Sequence, residues 1–180
     1  VLKCRNNSIS DLDEITQLKH LESLHCAHNQ LKTLPDLSKL TKLRLLEVKN
    51  NMLEDMETLK SLPSLKIFVC SHQNLKDLKK FPALPTVTDL DISYNQLEHL
   101  DELSDCAELN MLNVSDNKLN DLSGLKHCKN LKTLYCYGNQ LDNFEDLPNL
   151  RTLSCGFSSL RSLKGCEKMT DLVSLSISNI

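Results

Sequence analysis

Residues 87–100 read VTDLDISYNQLEHL, and this stretch decides the fold. Val87, Leu90 and Ile92 are apolar at spacings of three and two. Asn95 follows, and Leu97 and Leu100 close the segment. Numbering Val87 as slot 1 puts Asn95 in slot 9. Asn29, Asn51, Asn117 and Asn139 occupy the same slot in other copies, so a period of 22 residues separates Asn29 from Asn51 and Asn95 from Asn117. A fixed period in this range marks a solenoid, because one such unit cannot bury its own apolar face.

Extended in both directions, the register holds. Slots 1, 4, 6, 11, 14, 17 and 20 are apolar wherever they occur, in a chain that is only 40% apolar. Slots 4 and 6 are two apart, the period of a strand whose alternate side chains point inward. Slots 14, 17 and 20 are three apart, which fits one or two turns of 3₁₀- or α-helix in each unit. Strands stack about 4.8 Å apart, whereas helices need about 8–10 Å. The array therefore bends, with a parallel sheet on its concave side and short helices on its convex side: an α/β solenoid winding as a right-handed β/α superhelix. Pro35, Pro63, Pro82, Pro85 and Pro148 all fall in outer segments and none in a strand. Pro82 and Pro85 argue against an α-helix in the fourth unit. The outer segment around Pro148 is three residues short, which thins the convex side beside Phe157.

The repeated LxxLxLxxNxL resembles the leucine-rich repeat across essentially the whole chain. Its 22-residue class is similar to that of a type-one protein phosphatase regulatory subunit and of bacterial internalins. That resemblance implies a binding scaffold and leaves the partner open. No flanking cap of either kind accompanies it, so neither identity carries over. The 180 residues read as a single domain of about eight repeats. The chain opens at Val1 and stops at Ile180 in mid-repeat, which predicts a segment of a longer protein and end-to-end self-association of its uncapped edges.

A net charge of −3 makes no electrostatic case for nucleic acid or an anionic membrane, and no apolar run approaches a membrane span. All eight cysteines replace consensus Leu, Ile or Val: Cys4, Cys26, Cys70, Cys136 and Cys155 in slot 6, Cys166 in slot 17, Cys106 and Cys128 in slot 20. No CxxC spacing exists, so buried reduced thiols are expected rather than disulfides or zinc. Reduced thiols one strand apart favour the cytosol or nucleus. A glycan on the Asn113 sequon would block the concave sheet, which points the same way. Slot 9 predicts an asparagine ladder satisfying backbone groups of the turns. Gln73 and Ser158 interrupt it, with poorer local order expected there. His25, His28 and Glu47 are three weak metal candidates on a flat sheet, read as solvated histidines; no cofactor is expected.

Function is sought in what the framework leaves unexplained. Slots 3, 5, 7 and 8 are read as facing solvent on the concave sheet. There Leu45, Ile67 and Val69 form one apolar cluster with Met111 further along, and Tyr135, Tyr137 and Phe157 form a second, with Tyr94 between. Asp89, Asp91 and Asp116 lie between the clusters, Glu47 at the edge. Lys3, Arg5 and Lys49 are the only Lys or Arg in those slots, and from the fourth unit onward there are none. Exposed aromatics beside carboxylates suit a protein-binding face. A stacking platform for single-stranded nucleic acid would need a basic groove, and this one is acidic past Lys49. Asp89 and Asp91 could be imagined as a glycosidase pair, but an open sheet offers nothing to raise one pKa or to exclude water. The expected function is therefore non-enzymatic protein binding, with Tyr94, Asp91, Asp116, Tyr135, Tyr137, Phe157, Leu45, Ile67 and Val69 as contact residues. The alternatives are the recognition arm of a larger secreted effector or adhesin, or a phosphatase-regulating subunit.

Overall fold

The computed structural model describes residues 1–54, 56, 62–81, 84–145, 147–156 and 162–177. Among the described residues nine short strands form one parallel sheet in which spatial order is chain order. They are β1 (Leu2–Lys3), β2 (Ser23–His25), β3 (Leu45–Glu47), β4 (Ile67–Val69), β5 (Asp89–Asp91), β6 (Met111–Asn113), β7 (Thr133–Tyr135), β8 (Thr152–Cys155) and β9 (Ser174–Ile177). From β2 to β7 each residue pairs with the one a full repeat further on, as Leu24 with Leu46 and Leu46 with Phe68. Thr133 then pairs with Thr152, so the short unit is absorbed in its outer segment and the sheet keeps its register.

The central residue of each strand points behind the sheet. Leu24, Leu46, Phe68, Leu90, Leu112, Leu134 and Leu153 are all at most 1% exposed, and slots 1, 6 and 11 fill the rows beside them. Each such side chain contributes about 1.5–3 kcal/mol by leaving water. Leu18, Leu163, Leu175 and Ile177 hold inward slots and yet are exposed. Leu18 belongs to the first unit and Leu175 and Ile177 to the last, where a described neighbour packs on one side only. Leu163 follows residues 157–161, which lie outside the described set.

On the outer side the expectation of a helix in every unit needs correcting. Four 3₁₀-helices are present among the described residues, at Asp13–Gln17, Asp101–Asp105, Ser123–Leu125 and Cys166–Lys168. All four lie in outer segments that hold no proline. Proline lacks the N–H that closes such a turn. The segment after Pro35 keeps turn bonds of the same span, Leu40 N–H to Leu37 O and Leu43 N–H to Leu40 O, both at 2.9 Å.

The asparagine ladder is present and closes every described inner turn. Asn95 donates to Ile92 O within its own unit and to Cys70 O in the preceding one, at 3.0 and 3.1 Å. Its Oδ1 accepts Leu75 N–H at 3.2 Å. Asn29, Asn51, Asn117 and Asn139 repeat this set. Gln73 does not break the ladder as the sequence suggested. Its longer amide reaches Val48 O at 2.7 Å and accepts Leu53 N–H at 3.0 Å, giving up only the bond to its own slot-6 carbonyl, Cys70 O. Ser158 lies outside the described residues.

Reaching inward from slot 9 requires the chain to reverse at slot 8. Asn6, His28, Asn50, His72, Tyr94 and Asp116 accordingly all have φ between 52° and 57°, and Gly138 has φ 67°. Slots 7 and 8 are therefore turn positions and not exposed strand. Ala27, Ser71, Ser93 and Ser115, in slot 7, are buried. Asn, His, Asp and Gly tolerate the left-handed region better than most residues. Tyr94 is the ill-suited occupant, which marks it as a strained position.

Candidate protein-binding surface

Two rows of side chains line the open face of the sheet. Leu45, Ile67, Asp89 and Met111 follow one another along the first, and Glu47, Val69, Asp91, Asn113 and Tyr135 along the second. Leu45 faces Ile67 directly and Val69 stands on the same strand, so the first expected cluster is assembled. Only Asp89 separates it from Met111. Between the rows lies a hollow of about 180 Å³, walled by Ile67, Val69, Asp89, Asp91, Met111 and Tyr135. Tyr135 therefore lines the same hollow as Ile67 and Val69, from three strands away. Register explains this: Tyr135 shares slot 5 with Val69 and Asp91, whereas Tyr137, partly buried, sits in slot 7 at the turn. Phe157 lies outside the described residues.

Both carboxylates of the hollow are anchored through one oxygen. Thr88 Oγ1 donates to Asp89 Oδ2 at 2.6 Å. Ser93 donates to Asp91 Oδ1 from its backbone N–H at 3.0 Å and from its hydroxyl at 2.6 Å. Neither aspartate has an ion-pair partner among the described residues.

A second arrangement runs along the turn edge. The rings of His72 and Tyr94 stack with centroids 4.0 Å apart and planes 9° apart. Burial, then the charge of Lys49, lowers the His72 pKa below its ordinary value, so the stacked ring is a neutral imidazole near neutral pH. The charge of Asp116 raises the Tyr94 phenol above its ordinary value. Asp116 in turn lies over Gly138: a Cβ built there would meet Asp116 Oδ1 at 2.5 Å. A glycine in slot 8 of that unit thus makes room for the carboxylate as well as for the turn. Tyr94 is 45% exposed, at the edge of the face rather than between two clusters.

The first three strands carry a network that the sequence reading missed. Arg5 donates to Glu47 Oε2 from Nε at 2.9 Å and also from Nη2. His25 Nδ1 lies 2.7 Å from the same oxygen. Burial acts to raise the Glu47 pKa, but hydrogen bonds from Arg5 and His25 outweigh it and hold the carboxyl below its ordinary value. His25 is consequently a half-buried partner of Glu47 and not a solvated histidine. The available signal was the register, which puts His25 and Glu47 side by side.

All eight cysteines are free, six of them buried, with Cys4 and Cys166 partly buried. Cys4 and Cys26 Sγ atoms are 2.9 Å apart. Burial pushes the Cys106 thiol up to about 12, far from a reactive thiolate. Among the described residues no three His, Cys, Asp or Glu side chains converge as metal ligands, and no helix is long and apolar enough to cross a membrane. The larger hollow of about 550 Å³ opens on the flank of the fourth unit, where Lys76 and Lys79 are interleaved with Glu54 and Asp77.

Comparison with known proteins follows the same repeat. A family model described as "Leucine Rich repeats (2 copies)" matches residues 1–39, 19–61 and 107–149. A second, "Leucine rich repeat", matches residues 63–119. No curated protein matches the chain. Among solved structures, internalin C2 of Listeria monocytogenes is 21% identical, with a TM-score of 0.82 over 98% of this chain and 79% of its own. A chain of the Toll–Spatzle complex of Drosophila is also 21% identical, with a TM-score of 0.79 over 98% of this chain and 26% of its own. At such identities the two structures bear on the fold alone. The family models cover most of the repeats whose inward leucines and slot-9 amides build the sheet and its ladder, and this chain belongs to the leucine-rich repeat family.

Proposed function

We propose that this chain is a non-enzymatic module that binds a protein partner on its concave sheet. Proteins of this family generally mediate protein–protein interaction. The observation that carries the finer reading is the apolar set Leu45, Ile67, Met111 and Tyr135 on the open face, with Leu45 and Tyr135 partly buried there. Ile67 is 37% and Met111 36% exposed on a sheet whose inward rows are otherwise filled. Nine strands at about 4.8 Å make a face roughly 40 Å long, ample for about 800 Å² per partner. The sheet is preformed, so binding orders few side chains. Tyr94, Tyr137, Asp116 and, from the sequence alone, Phe157 extend the proposed contact surface. The free thiols support work in a reducing compartment.

Partners cross-linked to the wild-type chain in cells should be lost from an Ile67→Gln/Tyr135→Ala variant whose circular dichroism is unchanged. They should be retained by Glu102→Gln/Asp105→Asn on the convex side. Loss from the convex variant alone would refute the concave-face reading.

A further inference from the structure

The hollow between β4 and β7 has a chemistry of its own. Its walls are largely apolar, through Ile67 and Val69, Met111, and the ring of Tyr135, with the polar Asn113 standing between Asp91 and Tyr135. Its floor carries Asp89 and Asp91, two residues apart on one strand and so pointing to the same face. Each carboxylate is clamped through a single oxygen by its own neighbour, Thr88 or Ser93, which fixes its direction. The other oxygen of each has no protein donor among the described residues. The chain does not leave every slot-5 carboxylate so: Glu47, two strands away in the row of Asp91, is neutralised by Arg5. From the fourth unit onward no Lys or Arg occupies slot 3, 5, 7 or 8 to do the same for Asp89 and Asp91.

We infer that this hollow seats an arginine side chain presented by a basic segment of the protein partner, an inference that rests on the concave-face reading. The three methylenes of the arginine lie against Ile67, Val69 and Met111. The guanidinium stacks on Tyr135 and donates to the free oxygens of Asp89 and Asp91. It thereby does between two molecules at Asp91 what Arg5 does within this one at Glu47. Arginine suits the site better than lysine because its planar fork can both stack on a ring and serve two acceptors. An acidic segment would meet two uncompensated carboxylates, and a purely apolar one would bury them without partners.

A random dodecapeptide library selected on the immobilised chain tests this, with the selected peptides synthesised and titrated by calorimetry. Selected peptides should share an arginine, and its replacement by lysine should weaken binding several-fold. Affinity should fall about tenfold or more on Asp89→Asn/Asp91→Asn, and on Ile67→Gln/Tyr135→Ala. It should stay within about twofold on Glu102→Gln/Asp105→Asn, which removes the same charge from the convex side. Peptides lost on Ile67→Gln/Tyr135→Ala but indifferent to the aspartate variant would overturn the arginine seat and leave the concave-face reading standing. Equal loss on the convex variant would reduce the effect to net charge and overturn it too. Peptides indifferent to both concave variants would overturn the seat together with the reading beneath it.

Discussion

Asn95→Ala should destabilise the chain more than Asn117→Ala, although the two asparagines make the same set of bonds. The slot-6 carbonyls of Cys4, Cys26, Val48, Ile92 and Val114 each accept from two amides, their own unit's and the next unit's. Val114 O is bonded by Asn117 and Asn139, and Ile92 O by Asn95 and Asn117. Removing the Asn117 amide therefore leaves both carbonyls with a partner and orphans only Leu97 N–H. Cys70 O differs, because Gln73 bypasses it and, among the described residues, Asn95 is its sole donor. Asn95→Ala orphans that carbonyl as well as Leu75 N–H. A buried polar group left unpaired costs about 1–3 kcal/mol. Asn117→Ala should thus cost about 1–3 kcal/mol and Asn95→Ala about twice as much, with the small cavity term common to both. Urea unfolding followed by circular dichroism measures the difference. Gln73→Asn is the control: the shorter amide can bond Cys70 O, so it should recover part of the loss in the Asn95→Ala background and little in the Asn117→Ala background. Equal costs for the two alanine variants, or no rescue by Gln73→Asn, would refute the shared-carbonyl account.

Truncation in the core should be expensive at any central unit: Leu112→Ala, between Leu90 and Leu134, should lose about 2–5 kcal/mol in the same urea assay. Gly124→Ala should cost about 1–3 kcal/mol or more, read as a lowered melting temperature, because its Cβ would sit 2.4 Å from the Leu100 carbonyl oxygen. An unchanged melting temperature would show that the close approach of the two outer segments is not required. The Glu47 pKa is lowered in the fold, so its contribution is present at neutral pH and is lost as pH falls through the folded value. Arg5→Ala should therefore flatten the acid limb of the stability profile, and an unaltered limb would count against the network. Asp116→Asn should lower the Tyr94 phenol pKa toward its ordinary value, followed by the ring resonances of the three tyrosines. No movement at Tyr94 would show that the carboxylate does not act on it.

Much of this molecule was legible from spacing. The period and the apolar slots put Leu24, Leu46, Phe68 and Leu90 in one buried row, and the structure confirms that row. The slot-9 amides could be assigned to turn carbonyls because a polar side chain held between apolar slots must find partners where it is buried. The role of Gln73 was not legible. Whether one extra methylene breaks or preserves a ladder depends on atomic reach, which periodicity does not contain. The exposed face was read as slots 3, 5, 7 and 8 because strand alternation was carried too far. The chain leaves the strand after slot 5 to deliver its asparagine, so Ser93 and Ser115 are buried and Tyr94 is turned to the edge.

By itself the sequence determined the solenoid, its register and its buried rows, because each of these depends on separations along the chain that repeat identically. Only the tertiary structure decided which surface residues meet. Tyr135 lines one hollow with Val69 across two intervening strands, Arg5 reaches Glu47 over β2, and Asp89 and Asp91 have no ion-pair partner among the described residues. Such meetings join side chains from different units that no repeat consensus constrains, and they depend on how strands stack and side chains reach in three dimensions.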